Sequence, residues 1–305
     1  MSNKITRGIS EKFAKAFVDS KLYSLYDANR EDLFLGVRNE YINLYYKAAS
    51  VCKLKSGLNC EVAKKYIFGE GKKYTTVSIE TILEKYECIK NAIDGIASTR
   101  ADEKKAQQQL IYLNNSNGDS KWFCIDIEYV KERNHKGETT YGRFDIIAIS
   151  KEKPHIVALI ELKYGSKAIG GKSGILKHVK DYANFIRDQI FLTHMRKEIA
   201  AIVESLNWLN ACNIKIDNEN DIACVPEFYF ITLNNEDNKA LKTMRRYVLQ
   251  NEYGASIHTV EKELGIDITK QNKMNFTPSF LFSDRTIKNN DIDDIIESNL
   301  YTMGL

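Results

Sequence analysis

Prolines and paired cysteines are scarce in this sequence. Its 305 residues include only three prolines and no Gly/Ser-rich stretch, so we expect neither a flexible linker nor a low-complexity tail. None of the six cysteines shows CxxC spacing, and several lie in apolar runs where a thiol behaves as a small hydrophobe. We therefore expect reduced thiols and a cytoplasmic protein.

Long hydrophobic runs and a strong charge of one sign are also absent. The N-terminus lacks the apolar region of a signal peptide, and no run is long enough to span a bilayer, so we expect no membrane contact. The net charge of +3 and a pI near 8.3 are too mild to indicate nucleic acid by themselves. Any basic surface must be local.

Three charged residues interrupt apolar runs that predict buried strands. Asp145 lies in the run 142–149, and Glu161 and Lys163 lie in the run 155–165. A buried strand holds ionisable groups only where they are paired, metal-bound or functional. Alternation along a strand puts Glu161 and Lys163 on one face. Two carboxylates and a lysine at neighbouring strand ends would form an oxygen-rich pocket for a hard divalent cation, which suits phosphodiester hydrolysis.

The order of these residues resembles the PD-(D/E)XK nuclease superfamily. Asp145 is followed by a short turn and then by Glu161-Leu162-Lys163 on the next strand, with Phe144 where the family name has proline. The resemblance implies an α/β protein with a restriction-endonuclease-like αβββαβ core and a mixed sheet. It also implies a nuclease dependent on Mg²⁺ or Mn²⁺, acting on DNA in defence, restriction or repair; the DNA preference rests on analogy alone.

The resemblance also assigns roles to individual residues. Asp145 and Glu161 would bind the metal together with the backbone carbonyl of Leu162, and Lys163 would position the attacking water. Glu103 is a candidate third carboxylate, because it lies on the apolar stripe of the helix that precedes the first core strand. It could equally cap the first turn of that helix. His178, at the edge of an apolar helical stripe, is a further catalytic candidate.

The pattern of elements predicts three regions. We expect a helical N-terminal lobe over residues 1–95, a nuclease-like core over 96–235, and a C-terminal α/β extension packed on that core over 236–305. Strongly periodic segments support these regions. The predicted helices cover residues 11–22, 31–54, 78–93, 173–187 and 195–212, and the predicted core strands cover 122–130, 142–149, 155–165 and 222–233.

A basic cluster follows the third core strand and predicts contacts with the phosphates of a nucleic acid. Its members are Arg143, Lys167, Lys172, Lys177 and Lys180. The expected partner is therefore nucleic acid, and a homodimer stays open.

Three interpretations other than an active nuclease are also compatible with the sequence. Glu161 and Lys163 could form a structural ion pair, because acid-x-Lys triplets arise by chance in a lysine-rich chain. The fold could also recognise nucleic acid or protein without cutting. The segment 166–173 misses the nucleotide-binding P-loop pattern by one residue, since Ser166 stands where a glycine is usual.

Overall fold

The computed structural model describes most of the chain up to residue 234 and a few positions after it. The described residues are 7–71, 73–96, 99–131, 141–165, 170, 174–234, 239, 240, 242, 243, 246, 279–282 and 292. The chain divides into two compact units. The first unit comprises residues 1–119 and 196–221, and the second unit comprises residues 120–195 and 222–305.

The first unit combines helices with an antiparallel sheet in which the strand order is β1-β2-β3-β4-β5. The strands are β1 (Leu33–Arg38), β2 (Tyr41–Tyr46), β3 (Ala49–Lys55), β4 (Cys60–Ala63) and β5 (Tyr74–Val77). The helices are α1 (Glu11–Val18), α2 (Lys21–Ala28), α3 (Lys64–Phe68), α4 (Ile79–Asp94), α5 (Thr99–Ser116) and α7 (Arg196–Trp208).

Serine side chains fix where three of these helices begin. Ser10, Ser20 and Ser78 each lie at an N-cap, and each hydroxyl accepts a hydrogen bond from the backbone N–H three residues later. Such a bond satisfies one of the amides that a helix start leaves unpaired. The predicted helix over residues 78–93 is confirmed, with Ser78 as its cap.

The predicted helix over residues 31–54 is wrong, and with it the helical character of the lobe predicted over 1–95. This stretch forms β1, β2 and most of β3, which pair antiparallel. The turn between β2 and β3 consists of Lys47 and Ala48, whose φ angles are +48° and +52°. A tight hairpin turn with two positive φ angles is usually marked by Asn-Gly. Because Lys-Ala carries no such signal, the sequence pattern predicts one continuous helix.

Helix α7 belongs to the first unit although it follows the central part of the second unit in sequence. The backbone N–H of Ile9 donates a hydrogen bond to Ser205 Oγ at 3.2 Å. The buried apolar side chains of α7 are Ile199, Ile202, Val203 and Leu206. The helical segment predicted over residues 195–212 is therefore confirmed. However, the predicted core over 96–235 does not coincide with the second unit, because α5 and α7 group with the first.

The second unit contains a mixed sheet with the strand order β10-β9-β8-β7-β6. The strands are β6 (Trp122–Tyr129), β7 (Phe144–Ser150), β8 (Val157–Tyr164), β9 (Glu227–Leu233) and β10 (Ser279–Phe282). β6, β7 and β8 form an antiparallel meander. β9 runs parallel to β8, and β10 runs parallel to β9. The predicted mixed sheet and the α/β class are confirmed.

Helix α6 (Ile175–Arg187) follows β8 in the second unit, and a π-helical turn (Phe191–Met195) comes after it. Of the extension predicted over residues 236–305, strand β10 is observed, and most of the remainder lies outside the described residues. The segment 166–173 also lies outside them, apart from position 170. Within the described part of the chain, no helix has the length and apolar character needed to cross a membrane.

Candidate functional site

The candidate site lies where the β7/β8 ladder ends. The last backbone pair of this ladder is Ile146 with Ile160. Beyond it, the backbone N–H of Leu162 donates to Asp145 Oδ2 at 2.9 Å. The Asp145 side chain thus takes a position that a backbone carbonyl would fill in a longer antiparallel ladder. This contact fixes one carboxylate oxygen between the two strands.

Asp145 is a buried carboxylate whose negative charge is unfavourable where it lies. Asp145 is only 3% exposed to solvent. Burial raises the pKa of Asp145 well above its usual range, and the charge of Glu161 raises it further, while Lys163 and Arg143 act in the opposite direction. Desolvation and a neighbouring like charge both favour the protonated acid. A positive charge added here would therefore stabilise the ionised form.

Glu161 is the second buried carboxylate, and protein donors surround it. Its Oε1 lies 2.5 Å from Lys163 Nζ and 2.9 Å from His178 Nε2. Its Oε2 accepts a hydrogen bond from the Tyr182 hydroxyl at 3.1 Å. Burial acts to raise the pKa of Glu161, but the hydrogen bond from His178 and the charges of His178 and Lys163 outweigh it and lower the pKa to about 2. The surroundings of Glu161 therefore favour its ionised form, whereas those of Asp145 favour the protonated acid.

Helix α6 supplies two of the groups that hold Glu161. His178 and Tyr182 lie four residues apart, so both face the same side of the helix. The Tyr182 ring stacks on Phe144 with centroids 4.7 Å apart, and it lies 5.5 Å from both Phe228 and Phe230. These rings fix the phenol, and its hydroxyl also lies 3.4 Å from the Arg143 carbonyl oxygen. The pKa of Tyr182 is raised by burial and by the nearby carboxylates, so it stays a hydrogen-bond donor.

Sequence reasoning missed Tyr182, because a tyrosine among the apolar residues of α6 is typical of core packing. The signal that could have found it is the i, i+4 spacing from His178, the catalytic candidate on the same helix. A tyrosine one turn from a polar candidate on an otherwise apolar stripe carries a hydroxyl that needs a buried partner.

Arg143 connects Asp145 to a third carboxylate on β6. Its Nη2 lies 3.3 Å from Asp145 Oδ1, and its Nη1 lies 2.7 Å from Glu128 Oε2. The predicted contact of Arg143 with phosphate stays a prediction, and the structure places its guanidinium beside these two acids. Glu128 has a φ of +54°, although it lies within a strand. Such a conformation costs on the order of 1–3 kcal/mol for a residue other than glycine and persists only where the surroundings impose it.

The remaining predicted site residues lie on α5, on α6 or outside the described residues. Glu103 lies on α5 in the first unit, and its role as a third catalytic carboxylate stays a prediction. Lys167 and Lys172 lie outside the described residues. On α6, Lys177 is exposed and its Nζ lies 2.5 Å from Asp181 Oδ2, whereas Lys180 is half-buried.

Metal binding would rest on few protein ligands. Across the described ranges, no group of three or more His, Cys, Asp or Glu side chains is arranged to hold a metal ion. Asp145 and Glu161 supply carboxylate oxygens, which are the ligands that Mg²⁺ prefers. Mg²⁺ commonly binds to one or two carboxylates and completes its coordination with water and phosphate. The donor set thus fits a hard cation, whose charge would also offset the repulsion between the two acids.

Comparison of the chain with protein-family models, with curated proteins and with solved structures returned no match. The function must therefore be argued from the geometry of the site.

Gly142, which precedes Arg143, lies so close to Asp181 of α6 that a larger residue there should destabilise the fold. It has a φ of +77°, and a Cβ built on it would lie 3.0 Å from Asp181 Oδ2 and 3.1 Å from Asp181 Cβ. We expect Gly142→Ala to destabilise the protein by about 1–3 kcal/mol, because alanine strains this conformation and crowds α6. Urea unfolding measures the change. Gly118→Ala is the matched control, since an added Cβ there meets no atom within 4 Å; equal effects of the two substitutions would contradict the prediction.

Proposed function

We propose that this chain is a metal-dependent nuclease of the PD-(D/E)XK superfamily that hydrolyses phosphodiester bonds in DNA. The observation that carries the proposal is the convergence of Asp145, Glu161 and Lys163 at the end of the β7/β8 ladder. A structural ion pair needs one acid for one base. Here a second buried acid, Asp145, lies close enough to Glu161 for the charge of Glu161 to raise its pKa. Buried ionisable groups with strongly shifted pKa values cluster at functional sites.

The order of elements in the second unit supports the proposed family. An antiparallel meander, β6-β7-β8, is followed by α6 and then by β9, which pairs parallel with β8. This order agrees with the βββαβ part of the core that the resemblance implies, and α5 precedes β6 in the chain. The choice of DNA over RNA comes from the family resemblance alone.

Three oxygen ligands would hold a Mg²⁺ or Mn²⁺ ion: the carboxylates of Asp145 and Glu161 and the carbonyl of Leu162. The Leu162 N–H points to Asp145. Since the N–H and C=O of one strand residue point to the same side of the strand, its carbonyl also faces β7. When bound, such an ion polarises a phosphoryl oxygen and lowers the pKa of a bound water.

The protein's own groups would orient the reactants. The side chain of Lys163 is 12% exposed, so its ammonium lies at the edge of the buried cluster while it contacts Glu161. From there it can hold the attacking water and offset negative charge that develops on the phosphate. His178 and Tyr182 hold the Glu161 carboxylate in one orientation. A fixed carboxylate needs no reorganisation when the substrate binds.

Incubation of the purified chain with supercoiled plasmid, linear duplex and single strands tests the proposal. We expect cleavage with Mg²⁺ or Mn²⁺, no cleavage in EDTA, and no cleavage by Asp145→Asn prepared in parallel. The inactive variant controls for contaminating nucleases. If the parent cuts none of these substrates with either ion, or if Asp145→Asn cuts as fast as the parent, the proposal fails.

A second candidate is a nuclease fold that binds nucleic acid without cutting it. One observation favours it: both oxygens of Glu161 already accept hydrogen bonds from protein donors, as in a closed structural cluster. The same incubation separates the two candidates when binding is measured in Ca²⁺. Binding without cleavage in Mg²⁺ or Mn²⁺ would support the binding module.

The lysines of α6 give a prediction about nucleic-acid binding. We expect the double variant Lys177→Gln/Lys180→Gln to bind all sequences more weakly and to lower the salt slope of binding by about one unit per lost phosphate contact. Fluorescence anisotropy over a salt series in Ca²⁺ measures both quantities. The matched control is Lys12→Gln/Lys15→Gln on α1, where both lysines are exposed. If only this control pair lowers the slope, the phosphate-contacting surface lies on the first unit.

A further inference from the structure

Glu128 occupies an unusual position opposite the candidate site. Its neighbours in β6 pair with β7, Ile127 with Ile146 and Tyr129 with Phe144, so Glu128 lies across from Asp145 in the register. Other described non-glycine residues with positive φ lie in turns or at element ends, whereas Glu128 lies inside a strand. Local backbone strain of this kind persists where surrounding structure imposes it, and it clusters at functional sites.

The contact that accompanies this strained backbone is the ion pair with Arg143. The guanidinium reaches two carboxylates at once, 2.7 Å from Glu128 and 3.3 Å from Asp145. The shorter contact is to Glu128, so that residue is the principal anchor of the guanidinium. The side chain of Glu128 is 20% exposed and that of Asp145 is 4% exposed. Arg143 therefore spans from the buried acid to the edge of the site.

Arg143 and a divalent cation would compete for the same carboxylate. Arginine stays protonated in proteins and cannot relieve the competition by losing its proton. A cation bound at Asp145 would repel the guanidinium, while Glu128 would still attract it. Of these two carboxylates, only that of Asp145 would be left to the guanidinium if Glu128 were removed. The guanidinium would then compete more strongly with the cation for Asp145.

We propose that Arg143 is the counter-ion of Asp145 in the metal-free protein, and that Glu128 is a positioning residue that holds Arg143 aside when a divalent cation binds. This inference rests on the proposed function, because it concerns the same cation site. Removing one or the other partner of this ion pair should therefore have opposite effects on cation affinity. Loss of Arg143 favours the cation, and loss of Glu128 disfavours it.

Titration with Mn²⁺ by calorimetry, without nucleic acid, tests the inference. We expect Arg143→Met to tighten Mn²⁺ binding and Glu128→Gln to weaken it, each by about tenfold, which is an ordinary size for coupling between two sites. The double variant Arg143→Met/Glu128→Gln carries the same net charge as the parent, so both proteins attract the cation equally at long range. Because the competing guanidinium is gone, the double variant should bind Mn²⁺ more tightly than the parent.

Three results would overturn the inference. If the double variant binds Mn²⁺ more weakly than the parent, Glu128 is itself a metal ligand. If both single variants bind like the parent, while the parent binds Mn²⁺ and cleaves DNA, the inference fails and the proposed function stands. If the parent binds no Mn²⁺ at millimolar concentration and cuts no DNA, both fail.

Two further variants keep the test independent of folding. Glu128→Asn removes the carboxylate and suits a positive φ, since asparagine adopts that region more readily than glutamine. It should weaken Mn²⁺ binding as Glu128→Gln does. The control is the exposed pair Asp27 and Arg30 on the first unit, whose charged atoms lie 2.7 Å apart. Asp27→Asn/Arg30→Met should leave Mn²⁺ affinity unchanged, and a change there would show that the effects are not specific to Arg143.

Discussion

Replacing Lys163 by methionine should lower the rate of DNA cleavage by about 10²–10⁴-fold, the range typical of a group that assists proton transfer or orients a water. The ammonium lies 2.5 Å from Glu161, at the edge of the buried cluster. Methionine keeps an unbranched, flexible side chain for packing and removes only the charge and its donors. Single-turnover cleavage of a plasmid in Mg²⁺ measures the chemical step.

The fold should survive this substitution. Removing one member of a buried ion pair is strongly destabilising when the other charge is left alone. Here Glu161 keeps its contacts with His178 and Tyr182. We therefore expect the Lys163→Met protein to unfold cooperatively and to bind DNA in Ca²⁺ as the parent does. Loss of folding would instead favour a structural pair between Glu161 and Lys163.

Lys47 provides the matched control for Lys163. Its Nζ also lies 2.5 Å from a carboxylate, that of Asp94, but this pair is on the first unit and more exposed. Lys47→Met should cleave at the parental rate. If Lys163→Met cleaves at the parental rate as well, Lys163 does not act in the reaction.

Replacing Asp145 by asparagine should raise the melting temperature of the protein in EDTA while abolishing cleavage. Burial and the charge of Glu161 both disfavour the ionised form of Asp145, so ionisation of this acid in the folded protein lowers stability. Asparagine is neutral, and its side-chain oxygen can still accept the hydrogen bond from Leu162. A gain of about 1 kcal/mol would raise the melting temperature by roughly 2–4 °C.

The pH dependence of this gain has a definite sign. An acid whose folded-state pKa is raised contributes stability below its unfolded pKa and loses that contribution as pH rises through the folded value. The advantage of Asp145→Asn should therefore be small in acid and grow as the pH rises. Mn²⁺ should stabilise the parent and not the variant. An equal advantage at every pH, or equal Mn²⁺ stabilisation of both proteins, would contradict this account of Asp145.

The strands of the second unit were predictable because their signals are local. Apolar runs around Asp145 and Glu161, and the alternation over residues 122–130, are patterns that a buried or half-buried strand produces by itself. The same charged residues, isolated within apolar runs, also pointed to the site. The structure brings together Asp145, Glu161, Lys163 and His178 as the sequence led us to expect.

What the sequence did not reveal depends on backbone conformation and on distant partners. The turn at Lys47 and Ala48 needs positive φ angles, which neither residue type indicates in a sequence. The pairing of Arg143 with Glu128 depends on another such angle, within a strand. The grouping of α7 with the first unit depends on contacts with residues nearly two hundred positions earlier, as between Ile9 and Ser205. No window of local sequence contains that information.

The return of α7 to the first unit has a practical consequence for dissecting the molecule. The second unit is discontinuous in sequence, so no single cut in the chain releases it intact. A fragment covering residues 120–305 would carry α7 without α1 and β1, the elements of the first unit that it contacts. The buried side chains of α7 include Ile199, Ile202 and Leu206. Its exposed apolar face would favour aggregation. Isolation of the second unit would therefore need residues 196–221 replaced by a short polar connector, and deletion of the first 119 residues alone should yield insoluble protein.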